Sequence, residues 1–203
     1  MIMNALESPT DDIKKSLRAV FKGEIIDDTK SLASYGNDAS IFEVIPSLIA
    51  RPKDSQDVQT IVRFVSKHKR EDPTLSLTPR AAGTGMAGGA LNSSIILDVK
   101  GLNAIKEITD DYAVAEPGVF YRDLEKVTLI RNRIMPSYPA SKELCAVGGM
   151  VGTNASGEKT LTYGSTEQYV QNLKVVLADG NEYSFGPITK EELDQKIKLA
   201  NFE

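Results

Sequence analysis

The 203-residue sequence predicts an α+β protein. Two early segments carry apolar residues at helical spacing, and the runs around them are short, β-branched and strand-like. A glycine-rich stretch, RAAGTGMAGGALNSSIILD (80–98), joins one such run directly to the next.

The first helix is expected from about Asp11 to Lys22. Thr10 can cap it, Asp11 and Asp12 suit its positive end, and Ile13, Leu17, Val20 and Phe21 share a face. A looser segment, SLASYGNDASIFEVIP, follows. Val58, Ile61, Val62 and Val65 then repeat at i, i+3, i+4, i+7 in a helix that should pack on a sheet and leave through the polar KHKRED. LSLTPR, SIILDV, AIKEIT and YAVAEP read as strands. A helix from Phe120 to about Ile130 places Phe120, Leu124 and Val127 on one side. The stretch SYPASKELCAVGGMVGTNASGEKTLTYGST is too long and too glycine-rich for a routine connection and is expected to be a functional loop. NLKVVLADGNEYSFG is a hairpin turning at Asp179-Gly180. The last helix opens on a capping box, Thr189 and Glu192, yet Leu193, Ile197 and Phe202 have nothing downstream to pack on. The chain is therefore expected to be the front part of a longer protein; a docked terminal helix is the alternative.

Composition narrows the function. With 41% hydrophobic and 26% charged residues the chain reads as globular, and a net charge of -4 offers no basic stripe for a nucleic acid. The single cysteine, Cys145, excludes an intrachain disulfide, and no Cys/His cluster suits a metal. The sequence holds neither a signal-peptide pattern nor an apolar run of about 18 residues. A reducing, cytoplasmic location is expected, with peripheral attachment at the inner face of the membrane left open.

Gly83, Gly85 and Gly88 spell G-x-G-x-x-G, the dinucleotide fingerprint. That motif needs a helix leaving its last glycine and an acid about 20 residues on. Here Gly89-Ala90-Leu91-Asn92-Ser93-Ser94 runs straight into IILDV, and Asp98 comes too early, so a Rossmann site is excluded. No lysine follows for a Walker loop. What remains is strand, glycine loop, strand, whose bare N–H groups can converge on a phosphate without a helix dipole. VGGMVGTNASG (147–157) is expected to be a second small-residue loop lining the same groove.

PRAAGTGMAGGA, YPAS, VGGMVGTNASG, YGST and VVLADG, in this order, resemble the vanillyl-alcohol oxidase / p-cresol methylhydroxylase (PCMH) flavoprotein superfamily over roughly Ile49 to Gly186. The resemblance is to its branch holding D-lactate dehydrogenase, the GlcD component of glycolate oxidase and 2-hydroxyglutarate dehydrogenase. It implies a PCMH-type FAD-binding domain of two α/β subdomains, truncated before a C-terminal cap domain. An N-terminal helical segment (1–24) would precede the FAD domain (25–203), with subdomains over about 25–104 and about 105–203, the second incomplete.

By the same resemblance, Ala82, Gly83, Thr84, Gly85 and Met86 donate to the pyrophosphate, while Gly88 and Gly89 permit close approach. Pro139, Ala140 and Ser141 touch FAD from the second subdomain. Gly148, Gly149, Thr153, Asn154 and Gly157 line the path to the flavin, and Tyr163 and Gly164 close it. Asn154 can answer a flavin edge or tie its loop to itself. Arg80 stays open between a phosphate partner and a sheet-edge charge. Relatives that attach FAD covalently do so through a histidine where this chain has Thr84, so noncovalent FAD is expected. The lone histidine, His68, is expected in solvent.

The implied reaction is oxidation of a 2-hydroxy acid such as D-lactate, glycolate or D-2-hydroxyglutarate by hydride transfer to flavin N5, with an unassigned electron acceptor. No residue here is assigned as catalytic, and no metal ligand is assigned. A same-fold flavin reductase of the cell-wall-synthesis type and a non-catalytic flavin-binding module are the alternatives.

Overall fold

The computed structural model describes residues 11–199. Helix α1 (Asp11–Val20) leads through β1 (Glu24–Ile26) and a short α2 (Thr29–Ser34) to β2 (Leu48–Arg51). Helix α3 (Ser55–His68) then crosses to β3 (Leu77–Arg80), and β4 (Ile95–Asp98) follows the glycine run. These strands form one four-stranded sheet in the order β1-β2-β4-β3, with β1 antiparallel to β2 and the other pairs parallel. Pro79 sits in the edge strand β3, where its missing N–H costs no ladder bond on the outer side.

Strand β4 explains its own sequence. Ile95, Ile96, Leu97 and Asp98 are all buried, the pattern of a central parallel strand covered on both faces. Leu48, Ala50, Ile95 and Leu97 pack against Leu17, Phe21, Ile61 and Phe64 of α1, its exit and α3. The alternate residues Ile49 and Ile96 pack on Tyr35 behind the sheet, with Ile26 and Leu32. The predicted α3 face is thus correct in Ile61, with Phe64 as a further buried residue. Val20, expected on the buried face of α1, is exposed instead, because the helix ends there and the chain turns Phe21 inward. Thr10 and Phe202 lie outside the described residues.

Past a 3₁₀ turn at Val99–Gly101 the architecture changes. Strands β5 (Ile105–Ile108) and β6 (Ala113–Ala115) pair only with each other, and β7 (Leu173–Val176) pairs only with β8 (Glu182–Phe185). Between the hairpins lie α4 (Tyr121–Leu129), α5 (Val147–Gly152), α6 (Thr160–Tyr163) and a 3₁₀ turn at Thr166–Tyr169. Tyr121, Tyr138, Cys145 and Met150 make a small second core. The turn of β7 and β8 has Gly180 at φ 77°, as the Asp-Gly pair predicts. It rests on α3, where Arg63 donates to Asn181 Oδ1 at 2.9 Å.

Helix α7 (Lys190–Leu199) ends the described chain. Its capping box is formed: Thr189 N donates to Glu192 Oε2 at 2.8 Å, and Glu192 N donates to Thr189 Oγ1 at 3.2 Å. Leu193 and Ile197 are exposed, as the sequence led us to expect.

Candidate functional site

The glycine loop leaves the C-terminal end of β3 and returns as β4 with no helix between, so the Rossmann alternative fails in structure as in sequence. Gly83 and Gly88 take left-handed conformations, at φ 69° and 75°. Such corners fold successive N–H groups toward one side, a geometry that binds anions. From Ala82 to Gly89 no main-chain N–H donates to another described residue. At Gly85 and Gly89 an added Cβ would meet nothing within 4 Å, and Met86 is 82% exposed. The loop thus presents unpaired donors and open backbone, which is what a phosphate-bearing ligand requires.

Beneath it lies a polar cluster at the same end of the sheet. Asp98, 2% exposed, accepts from the Tyr35 hydroxyl at 2.5 Å, from Arg51 Nε at 3.1 Å and from Lys100 N at 3.1 Å. Arg51 also donates to the Tyr35 oxygen at 3.2 Å and to Glu24 at 3.0 Å, and these partners hold its charge firmly on the guanidinium. Arg80 is neither a sheet-edge charge nor aimed at the loop opening. It is buried and donates to the carbonyls of Tyr35 and Asn37 at 3.1 and 2.7 Å.

The second glycine segment differs from its expectation. Val147–Gly152 is not a loop but the helix α5. Small residues serve closeness there: a Cβ on Gly148 would lie 2.5 Å from the Pro117 side chain, and Gly148 N donates to Pro117 O at 2.9 Å. Gly157 lies directly against the Tyr138 carbonyl and Pro139, which brings the SYPAS turn onto the end of the glycine segment. Its own N–H donates to Thr160 Oγ1 at 2.8 Å. Asn154, at φ 47°, accepts from Glu167 N at 2.9 Å, so its Oδ1 ties the loop to itself.

Other expected site residues are more open. Gly149 faces space, Thr153 is exposed with its hydroxyl on Gly149 O at 2.9 Å, and Ala140 is exposed beside the half-buried Pro139 and Ser141. Tyr163 is exposed and its carbonyl accepts from Tyr169, while Gly164 turns the chain at φ 72°. Val151, Asn154, Thr166, Glu167, Val170 and Leu173 line a shallow cavity of about 310 Å³ beside α5. The two glycine segments are linked through one chain of contacts. Leu102 O, just past β4, accepts from Gly118 N at 2.7 Å, and Pro117 O then accepts from Gly148.

His68 stacks on Phe64 with ring centroids 4.2 Å apart and places Nδ1 2.8 Å from Phe64 O, so it is a partly buried helix end. Among the described residues no group of His, Cys, Asp or Glu is arranged to hold a metal, and no helix is long and apolar enough to cross a membrane. Tyr35, Asn37, Phe42 and Asp98 escaped the sequence reading. Asp98 was the one with a signal, an acid closing a fully apolar central strand.

A two-part α+β scaffold with this strand, loop, strand arrangement is that of the PCMH and vanillyl-alcohol oxidase flavoproteins. An alkyldihydroxyacetonephosphate synthase superimposes with TM-score 0.74 at 18% identity, over 91% of this chain and 37% of its own. p-Cresol methylhydroxylase superimposes with TM-score 0.70 at 21% identity, over 86% and 35%. Residues 46–186 match the FAD binding domain family, and the chain belongs to it, with FAD as its cofactor. It is 34% identical over 164 residues to D-2-hydroxyglutarate dehydrogenase of Stutzerimonas stutzeri, covering 78% of this chain and 34% of that protein. It is 29% identical over 178 residues to glycolate oxidase subunit GlcD of Bacillus subtilis, covering 85% and 37%. The D-lactate dehydrogenase of Archaeoglobus fulgidus is 29% identical over 163 residues, covering 74% and 35%. The chain therefore spans 34 to 37% of the length of these relatives.

Proposed function

We propose that this chain is the FAD-binding part of an oxidoreductase that oxidises a 2-hydroxy acid such as D-lactate, glycolate or D-2-hydroxyglutarate. The observation that carries the reading is the run of unpaired main-chain donors from Ala82 to Gly89, in a chain whose relatives are named for those acids. When bound, FAD supplies the chemistry, accepting at N5 the hydride that leaves the carbon bearing the hydroxyl. The chain's own residues bind and orient. The amides of Ala82 through Met86 meet the diphosphate, and Gly88 and Gly89 leave room for it. Ala140 and Ser141 approach from the SYPAS turn, and Gly149, Thr153, Asn154, Tyr163 and Gly164 border the flavin end. Gly148 and Gly157 serve that border indirectly, by holding α5 and the SYPAS turn in place.

The two subdomains, over about 25–104 and about 105–203, would hold FAD between them, with 1–24 as a helical lead. Noncovalent attachment follows from Thr84 standing where a histidine would be needed. A cytoplasmic location agrees with the single buried thiol, Cys145. Substrate contacts, the base that takes the hydroxyl proton and the site for the electron acceptor belong to parts of the protein outside this chain.

The test is anaerobic titration of the purified intact protein with each acid while the visible flavin absorbance is followed. Bleaching by at least one acid, with all flavin released on acid precipitation, is expected. Bound flavin that none of these acids reduces would overturn the substrate class, and flavin staying with the precipitate would overturn noncovalent binding.

A further inference from the structure

The segment from Tyr35 to Phe42 precedes the residues that match the family, yet it supports the glycine loop at both of its left-handed corners. At Gly83 the support is the Arg80 guanidinium: an added Cβ would lie 2.7 Å from Nη2 and 2.9 Å from Cζ and Nε. Arg80, 9% exposed, is held in turn by the carbonyls of Tyr35 and Asn37 and lies 5.1 Å from the centre of the Tyr35 ring. Tyr35 is anchored by its hydroxyl on Asp98. At Gly88 the support is Phe42, whose Cδ2 would stand 3.1 Å from an added Cβ, with Ser40 Oγ at 3.8 Å. The Phe42 ring is otherwise half exposed. Asp38 completes the brace by accepting from Ser40 N at 2.8 Å.

We propose that Arg80 and Phe42 are positioning residues that fix the two corners of the glycine loop, so that its free amides converge on the FAD diphosphate without either side chain touching it. The inference rests on the proposed placement of FAD at this loop. Arg80 suits the task because a planar fork can hold two carbonyls and underlie a glycine at once; a lysine keeps the charge but spans one carbonyl. The role is geometric, so charge alone does not restore it.

The test uses the intact protein in four variants, Arg80→Lys, Arg80→Gln, Phe42→Ala and Gly85→Val, with FAD affinity and the ³¹P spectrum of bound FAD as readouts. Both Arg80 variants should bind FAD about 10-fold or more weakly, the scale of losing a charge-assisted hydrogen bond. Both should shift the diphosphate resonances while the flavin absorbance bands stay in place, which a general loss of stability would not do. Phe42→Ala, a half-exposed change that the core tolerates, should weaken FAD about threefold with a smaller ³¹P shift. It keeps the inference testable where an Arg80 variant does not fold. Wild-type affinity and ³¹P shifts in Arg80→Lys would overturn the geometric role, and so would an unchanged Phe42→Ala. Gly85→Val separates the two levels, since its side chain starts in open space. If it abolishes FAD retention while Arg80 and Phe42 variants behave as wild type, only this inference fails. If FAD is retained unchanged by Gly85→Val as well, the placement of FAD at this loop fails with it.

Discussion

The two glycine-rich segments have similar composition and opposite construction. In the first, from Gly83 to Gly89, the N–H groups lack internal acceptors and Gly85 and Gly89 face open space. In the second, Gly148 and Gly157 have their N–H groups bonded within the protein and their α-carbons pressed against Pro117, Tyr138 and Pro139. Glycine in the first makes a surface for something else to touch; in the second it lets two pieces of the same chain touch. The same division separates the sheets. The four-stranded sheet is buried on both faces around β4, whereas β8 is exposed along its whole length.

The difference is measurable, most strongly at the joint between the two halves. A Cβ on Gly118 would lie 2.5, 2.6 and 2.7 Å from the carbonyl oxygens of Val99, Lys100 and Leu102. These are backbone atoms at the end of a buried strand, so nothing gives way cheaply. Gly118→Ala should lower the stability of the intact protein by about 3 kcal/mol, read as a fall in the urea midpoint. A midpoint at the wild-type value would show the joint to be pliable.

Asp98→Ala comes next. The variant leaves the buried Tyr35 hydroxyl without its carboxylate, while Arg51 and Lys100, both partly exposed, can rehydrate. A loss of about 2 kcal/mol is expected, mostly from the orphaned hydroxyl. Pairing it with Tyr35→Phe gives a cycle in which the two losses should fall well short of adding; strict additivity would mean that the network is not coupled.

How much of this was legible beforehand follows from range in the sequence. The helices over Ile61 and Leu124, the strand IILD and the Asp-Gly hairpin are set by local periodicity and turn chemistry, and each stands where it was expected. The strand, loop, strand path was legible because six residues cannot hold a helix between Gly88 and β4. What stayed hidden depends on contacts far apart in the chain. VGGMVG reads as a loop by composition, and becomes helical because its glycines fit against Pro117 and because Met150 fills the core of Tyr121, Tyr138 and Cys145. Arg80 looked ambiguous because its acceptors, the carbonyls of Tyr35 and Asn37, carry no side-chain signature at all.

A smaller effect is expected in the exposed half. Glu116 accepts from Lys106 in a 2.8 Å ion pair and from Ala104 N at 2.9 Å, and the Lys106 hydrogen bond foremost holds its carboxyl below the usual carboxylate range. A carboxyl depressed on folding stabilises the native state at pH values above its unfolded pKa, and that contribution is lost as the pH falls through the folded value. The pair is partly exposed, so it contributes ~0.5 kcal/mol. Glu116→Gln should be slightly less stable than wild type at neutral pH and equal to it in acid below both pKa values. A constant gap between the two across that range would mean that the pair does not anchor β5 and β6.

The smallest effect on the fold is the most informative about the site. Gly89 has no left-handed φ, and a Cβ there meets no atom within 4 Å, so alanine fits the backbone and restricts only the unfolded chain. Gly89→Ala should therefore leave stability unchanged within about 0.5 kcal/mol or raise it slightly, the reverse in sign of Gly118→Ala. If the open space is where the diphosphate lies, the same methyl group should weaken FAD binding even as the apoprotein melts no earlier. Thermal melting without cofactor and FAD titration of the same sample give the two numbers. Unchanged affinity would mean that the space above Gly89 is solvent rather than ligand, and the difference between the two glycine segments would then be one of packing alone.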